Sequence, residues 1–260
     1  MLWRRDRCAY RMTDMDFRFQ ESNHTYWLGE KRLTGVTTVL GVLAKPQLIP
    51  WAARMVVEKL QEQPIFEELL VGQKPVLNAR LITPEMLEEA LTAHTKKKEA
   101  AGQAGTDSHA LVETYIGHCI KEHKGEPYKD LNEPIQKFID WAIENVDHFL
   151  FSERRMFNKD LFIAGTADFA YIGKDGKKYM ADFKTSSGIY GIDFWLQVAA
   201  YRMLAEGEGD TPYDGATVVR MGKDGSFEVK QLFDYEPFKE CFLACLKIYR
   251  TQEYIKGLTV

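Results

Sequence analysis

Residues 164–204 read AGTADFAYIGKDGKKYMADFKTSSGIYGIDFWLQVAAYRML. Two strand-like runs flank the turn-forming tetrapeptide Gly173-Lys174-Asp175-Gly176, a pattern that predicts a β-hairpin. The text that follows carries Trp195, Leu196, Val198 and Leu204 at helical spacing and predicts an amphipathic helix. Asp168 lies on the first run, and Asp182 and Lys184 lie on the second. Gln197 and Tyr201 stand one helical turn apart on the helix.

Loop length controls what this hairpin can do. With a three-residue loop, Lys174 to Gly176, paired positions sum to 350 and Asp168 falls opposite Asp182. Two carboxylates about 5 Å apart across a ladder repel, and a divalent cation would turn that penalty into a binding site. A two-residue Asp175-Gly176 turn shifts the register by one and sends the carboxylates to opposite faces. A metal-site reading therefore requires an odd loop or a bulge. Residues two apart on a strand share a face, so Asp182 and Lys184 point together. The surrounding Tyr-Met-Ala-Asp-Phe-Lys suits a strand buried on both faces, where a carboxylate needs a cation.

Oxygen ligands from two aspartates suit Mg²⁺ or Mn²⁺, and an imidazole tilts the preference toward Mn²⁺. A lysine beside the ion can hold or deprotonate an attacking water and offset phosphoryl charge. Plainer readings exist for each residue. Asp182 and Lys184 could be a strand-face ion pair, Asp168 could close a turn, and Gln197 with Tyr201 could be the polar edge of a core helix. An Asp-x-Lys triplet alone is weak, since chance supplies about one in a chain this long.

Outward from this stretch, Asp16 to Leu28 alternates aromatic and polar residues around Glu-Ser-Asn-His and predicts a small hairpin. Trp51, Met55, Val56 and Leu60 after Pro50 are spaced as in a helix. Thr83 and Pro84 read as the N-cap and first turn of a helix reaching about Ala101, which carries Lys96, Lys97 and Lys98 as a solvated or phosphate-facing group. A Gly-rich entry then leads into a further helix over residues 101–120, with His109, Val112, Glu113, Ile116 and Ile120 on one face. From this face alone His109 is either a core residue or a metal ligand. Glu133 to Phe149 predicts an amphipathic helix with Ile135, Phe138, Ala142, Ile143 and Val146 inward, and Phe149 to Asn158 a strand that includes Glu153. Gly215–Met221 and Phe227–Leu232 predict a second hairpin around another Gly-Lys-Asp-Gly, and Tyr235 to Tyr254 a closing helix. Helices, three strands, a helix, two strands and a helix suit an α/β fold of mixed α+β type, a mixed sheet flanked by helices. The expected domains are an N-terminal hairpin and helical arm over residues 1–100 and a core over 101–260.

Composition sets few limits. The chain has 260 residues, 45% hydrophobic and 28% charged, as in an ordinary soluble domain. A net charge of -4 gives no global nucleic-acid footprint, so any basic groove must be local. Cys8, Cys119, Cys241 and Cys245 lie scattered among helical patterns, and a reduced compartment is the expectation. Cys241 and Cys245 read as core packing. No apolar run reaches membrane-spanning length, and Met1 to Met12 lacks the apolar stretch of a signal peptide, which points to the cytoplasm.

At these residues the sequence resembles the RecB-like branch of the PD-(D/E)XK nuclease superfamily, of the stand-alone phage and bacterial type. The family's order is a Gly-x-x-x-His helix, a strand Glu, Gly-x-x-Asp, Asp-x-Lys-Thr and a Gln-x-x-x-Tyr helix. Here these are Gly105 to His109, Glu153, Gly165 to Asp168, Asp182 to Thr185 and Gln197 to Tyr201. His24, Tyr26, Gly35-Val36-Thr37 and Trp51-Ala52-Ala53 add a looser likeness. The resemblance implies a restriction-endonuclease-like core. It also implies that His109, Asp168, Asp182 and the main-chain carbonyl of Phe183 bind metal, two Mg²⁺ or Mn²⁺ ions, with Lys184 as catalytic lysine. Gln197 and Tyr201 would order the site and the DNA strand, Thr185 and Ser186 would touch phosphate, and Glu153 or Glu113 would ligate or support. Some relatives hold an iron-sulfur cluster with one cysteine before the core and three after it; only Cys241 and Cys245 follow here, so no cluster is expected. A Gly-x-x-x-x-Gly-Lys-Ser/Thr loop is missing, so any helicase motor or recombination factor would be a partner. The implied activity is a DNA exonuclease on single strands or duplex ends, in recombination, repair or phage replication. Alternatives are a structure-specific endonuclease on the same fold and a non-catalytic DNA-binding accessory protein.

Overall fold

In the computed structural model of the chain, which describes residues 16–46, 48–62, 82–122, 133–186 and 188–258, the central hairpin takes the three-residue loop. Strands β5 (Ile163–Gly173) and β6 (Lys178–Lys184) pair antiparallel with Phe169 opposite Ala181 and Ile172 opposite Lys178, a sum of 350 throughout. The Gly173 N–H donates to the Lys177 carbonyl at 2.8 Å and the Gly176 N–H to the Gly173 carbonyl at 2.8 Å. Gly176 closes the loop at φ +77, where a side chain would be strained. The second copy repeats this. Between β7 (Gly215–Met221) and β8 (Phe227–Leu232), Gly222 and Ser226 close the ladder and Gly225 sits at φ +75. In each loop the aspartate, Asp175 or Asp224, accepts the N–H two residues on at 3.1 Å.

Among the described residues, eight strands form one mixed sheet flanked by helices, as the order of elements predicted. Strand β4 (Val146–Asn158) runs along one edge of β5 for its full length, from Asn158 opposite Ile163 to Val146 opposite Gly173. Two register shifts, at Val146/His148 and Phe149/Phe151, bend it there. The other edge of β5 is shared. Strand β3 (Lys31–Gly35) pairs in parallel with Ile163 and Ala164, and β6 pairs from Phe169 onward. Residues 165–168 lie in the fork between them. The expected hairpin is β1 (Phe17–Gln20) and β2 (Thr25–Leu28), and β2 then pairs with β3, a strand the sequence did not announce. Only Leu33 of β3 is buried, too few apolar residues to set a period.

Alternation along β6 separates two environments. Phe183 points into an aromatic cluster centred on Phe138 of α4 (Glu133–Asn145), which meets Tyr115, Trp141, Phe149, Phe169 and Phe183 at ring distances of 5.1 to 6.5 Å. Asp182 and Lys184 point the other way, toward α5 (Ile192–Gly207), which packs on strands β4 to β7 and carries α6 (Glu236–Leu258) on its back. Helix α1 (Val36–Leu40) also packs against α5.

Several sequence expectations are corrected. The helix expected to reach Phe149 stops at Asn145, and Ile143 is exposed rather than inward. Its last carbonyls are taken by the hairpin loop, since Lys174 donates through Nζ to Ile143 and through N–H to Asn145, so pairing of Val146 with Gly173 takes over. The two helices expected over 84–101 and 101–120 are one, α3 (Pro84–Glu122). No proline follows Pro84 within it, and Gly102 and Gly105 cost only about 1 kcal/mol each in a helix interior. Thr83 does cap it, its Oγ1 accepting the Met86 N–H at 3.3 Å. For residues 98–108, Lys98 among them, the helix alone is described, while Lys96 and Lys97 are exposed. The closing helix begins one residue later and ends four later than expected.

The chain divides into two units, Met1–Val42 with Glu113–Val260, and Leu43–Val112, rather than at residue 100. Pairing of β3 with β5 draws the N-terminal hairpin into the first unit. The second holds α2 (Leu48–Gln61) and α3 up to Val112. Among the described residues no helix is long and apolar enough to cross a membrane. Phe138 is fully buried and Phe233 is 52% exposed. Phe138→Ala should therefore cost about 3–5 kcal/mol in urea unfolding, and Phe233→Ala less than about 1 kcal/mol.

Candidate metal centre

The fork in the edge of β5 exposes each of its four residues to a different neighbour. A Cβ on Gly165 would lie 2.6 Å from Cε1 of Tyr201 and 3.2 Å from Cγ2 of Val36, so only glycine lets α5 and α1 close on the strand here. Thr166 Oγ1 lies 2.9 Å from the Tyr26 hydroxyl of β2. Ala167 is buried. The next ladder step would set Asp168 against Asp182. Instead the Asp168 carboxylate accepts the Phe183 N–H at 2.6 Å, taking the place of a strand partner.

A polar chain crosses from β6 to α5 beside it. Asp182 is 1% exposed, with one oxygen in contact with the Lys184 ammonium. Its Oδ1 accepts from Gln197 Nε2 at 3.1 Å. Gln197 Oε1 accepts from Lys184 Nζ at 2.9 Å, and Nε2 also donates to the Tyr201 hydroxyl at 2.9 Å. One amide thus fixes the acid, the lysine and the tyrosine together, with both of its N–H bonds and its oxygen engaged. Lys184 also stands 5.1 Å from the Phe194 ring centroid.

Glu153 completes the acidic group from β4. It sits between the pairs Ser152–Phe169 and Arg154–Ala167, hence beside Asp168, and one oxygen of each carboxylate lies within 4.8 Å of the other. Its backbone is left-handed, φ 49, a conformation that costs a non-glycine residue about 1–3 kcal/mol. The following Arg154 is held by Asp210 at 2.9 Å and Glu208 at 3.0 Å, which fixes the strand on the far side of the kink.

Electrostatics follow from this crowding. Burial pushes the Glu153 carboxyl up to about 7, helped by Glu113 and Asp182 and opposed by Arg155. Burial also pushes Asp168 well above the usual carboxylate range, with Asp182 next in effect and Lys184 opposing. The Tyr201 phenol is pushed up by burial and then by the same two aspartates. Carboxylates that resist ionisation together in a crowded site are what a divalent cation relieves.

Asp168, Asp182, Lys184, Gln197, Tyr201 and Glu153 come together in one unit, and Phe183 contributes its backbone there. Glu113, at the start of that unit's part of α3, acts on Glu153 by charge. His109 lies on α3 one turn before Glu113, in the Leu43–Val112 unit. Thr185 follows Lys184 directly, while the Ser186 hydroxyl donates within its own loop to the Gly188 carbonyl at 2.9 Å. Cys245 is buried, as core packing required, but Cys241 is exposed; Cys8 lies outside the described residues. Sequence reasoning missed the part played by Tyr26. It stood in the sequence only within the looser likeness of the N-terminal text, with nothing to mark it as a partner of Thr166.

No family model and no curated protein matches the chain. A solved structure titled "Crystal structure of SSO0001" aligns at 16% identity and a TM-score of 0.29, over 39% of this chain and 48% of that one.

Two outcomes follow from this geometry. Gly165→Ala should destabilise the protein by about 1–3 kcal/mol in urea unfolding, because neither the strand nor the Tyr201 ring can yield 1 Å cheaply. Glu153 binds its proton more tightly folded, near 7, than at the ordinary 4.5, so its contribution to stability is full below about 4.5 and is lost as pH rises through 7. Metal-free protein should accordingly melt lower at pH 8.5 than at pH 5.5, and Glu153→Gln should flatten that profile; an equal slope in the variant would remove Glu153 as its cause.

Proposed function

We propose that the chain is a Mg²⁺- or Mn²⁺-dependent deoxyribonuclease, an exonuclease that hydrolyses phosphodiester bonds with an activated water. The observation that carries this reading is the joint engagement of Asp182, Lys184 and Tyr201 by Gln197, beside the paired carboxylates of Asp168 and Glu153. That grouping fits a hard cation, since the donors are crowded carboxylate oxygens. Asp168, Asp182 and the Phe183 carbonyl would hold the ion, His109 is proposed as its nitrogen donor, and Glu153 supports the set. Bound there, the ion supplies Lewis acidity at the phosphoryl oxygen and lowers the pKa of a water.

The residues of the chain do the rest. Gln197 keeps the Lys184 ammonium aimed beside Asp182, so the lysine can orient the water that attacks phosphorus and offset charge on the phosphoryl oxygens as the P–O bond to the leaving sugar breaks. Tyr201 braces Gln197 and is itself fitted against Gly165. Thr185, next after Lys184, is proposed to touch the phosphate, and Ser186, proposed with it, bonds within its own loop to the Gly188 carbonyl. Such an activity belongs with DNA recombination, repair or phage replication in a bacterial cytoplasm.

Purified protein given end-labelled single- and double-stranded DNA should cut it with Mn²⁺ or Mg²⁺ and not in EDTA. Lys184→Ala should slow cleavage by about a hundredfold or more, and Asp182→Ala should abolish it. Circular single-stranded DNA should stay intact; its cleavage would replace the exonuclease reading with an endonuclease. Undiminished cutting by Asp182→Ala would sink the assignment of the site.

A further inference from the structure

A nucleic-acid strand approaching Glu113, Glu153, Asp168 and Asp182 meets a crowd of carboxyl groups, and Lys184 is already committed to Asp182 and Gln197. Arg155 stands at the border of this group. It lies on β4 two residues beyond Glu153, opposite Thr166, whose hydroxyl meets Tyr26. Its positive charge opposes the upward shifts of both Glu153 and Tyr26, so the guanidinium is within electrostatic reach of the Glu153 carboxyl and the Tyr26 phenol. The guanidinium lies over the Phe19 ring at 4.4 Å from the centroid, and one terminal nitrogen donates to Glu21 at 3.1 Å. Both side chains are open to water, 46% exposed for Arg155 and 80% for Glu21.

We propose that Arg155 binds a backbone phosphate of the DNA strand that enters the site, and that the Glu21 carboxylate occupies its place until a phosphate displaces it. This rests on the nuclease reading. An arginine presents five donors in a planar fork that suits two phosphate oxygens, and Glu21 uses one nitrogen of that fork. Stacking on Phe19 fixes the plane of the fork in advance, so little ordering is left for the ligand to bring about. Exposed ion pairs contribute little, so the exchange of one anion for another is nearly free. Glu21 sits in the turn between β1 and β2, so the same N-terminal hairpin supplies the ring beneath the arginine and the anion that fills it.

A fluorescent oligo-dT strand, with Ca²⁺ as the hard cation, can be titrated by anisotropy against the full chain and its variants over a salt series. Arg155→Ala should weaken binding about tenfold and reduce the slope of log affinity against log salt by roughly 0.7, the share of one single-strand phosphate contact. Arg155→Lys should keep the slope and recover part of the affinity. Glu21→Gln should tighten binding by up to about fivefold, which a purely structural clasp between the hairpin and β4 would not do. In Mn²⁺, kcat at saturating DNA should change less than about twofold in Arg155→Ala while KM rises. An unchanged salt slope in Arg155→Ala, or no gain in affinity with Glu21→Gln, overturns the proposal. If the wild-type chain neither binds nor cuts DNA, the nuclease reading falls and this inference with it. If the wild type binds and cuts but the Arg155 and Glu21 variants match it, this inference falls alone.

Discussion

Asp182 is a carboxylate with almost no access to water, and the structure is arranged around making that tolerable. An isolated buried charge would cost several kcal/mol, so its two oxygens are given to a cation and an amide, Lys184 and Gln197. The arrangement needs a helix at a fixed distance from the strand. Gly165 sets that distance by letting Tyr201 and Val36 close on β5. It also needs a strand that cannot slip, which the aromatic cluster on the opposite face provides, since a slip would move Phe183 out of contact with Phe138 and Phe169.

Strand β5 shows how an acidic group can be opened within a continuous sheet. One edge is filled by β4, and the other is divided between a parallel partner and an antiparallel one. Where neither reaches, side chains of β5 make the contacts: the Asp168 carboxylate accepts an amide N–H of β6, and the Thr166 hydroxyl meets a phenol of β2. The N-terminal hairpin is thus part of the site's wall, and its loop reaches the rim through Arg155.

How much of this the sequence disclosed depends on where each feature is decided. The register of β5 and β6 was legible because local turn chemistry sets it, and Gly-Lys-Asp-Gly built the same loop twice. The grouping of Asp182, Lys184, Gln197 and Tyr201 was legible because the periods of a strand and a helix fix which residues share a side. The end of α4 was not, because Lys174, far along the chain, terminates it. Nor was β3, whose place depends on pairing with β5 and hardly on its own pattern. The continuity of α3 defeated a rule that treats glycines as breaks when their cost is small. Glu153 was legible as a residue type but not as a left-handed kink, which no local signal marks.

That kink bears on how this chain would drift if nothing used its carboxylates. Glycine, and to a lesser degree asparagine, rest in the left-handed conformation that strains Glu153. Either would also remove a charge from a crowded, poorly solvated spot. Under mutation sieved by thermal resistance alone, position 153 should be among the first to change, and it should change toward loss of the acid. In the proposed metal centre, a glutamate there would set ease of folding against the use of an ionisable group at that point.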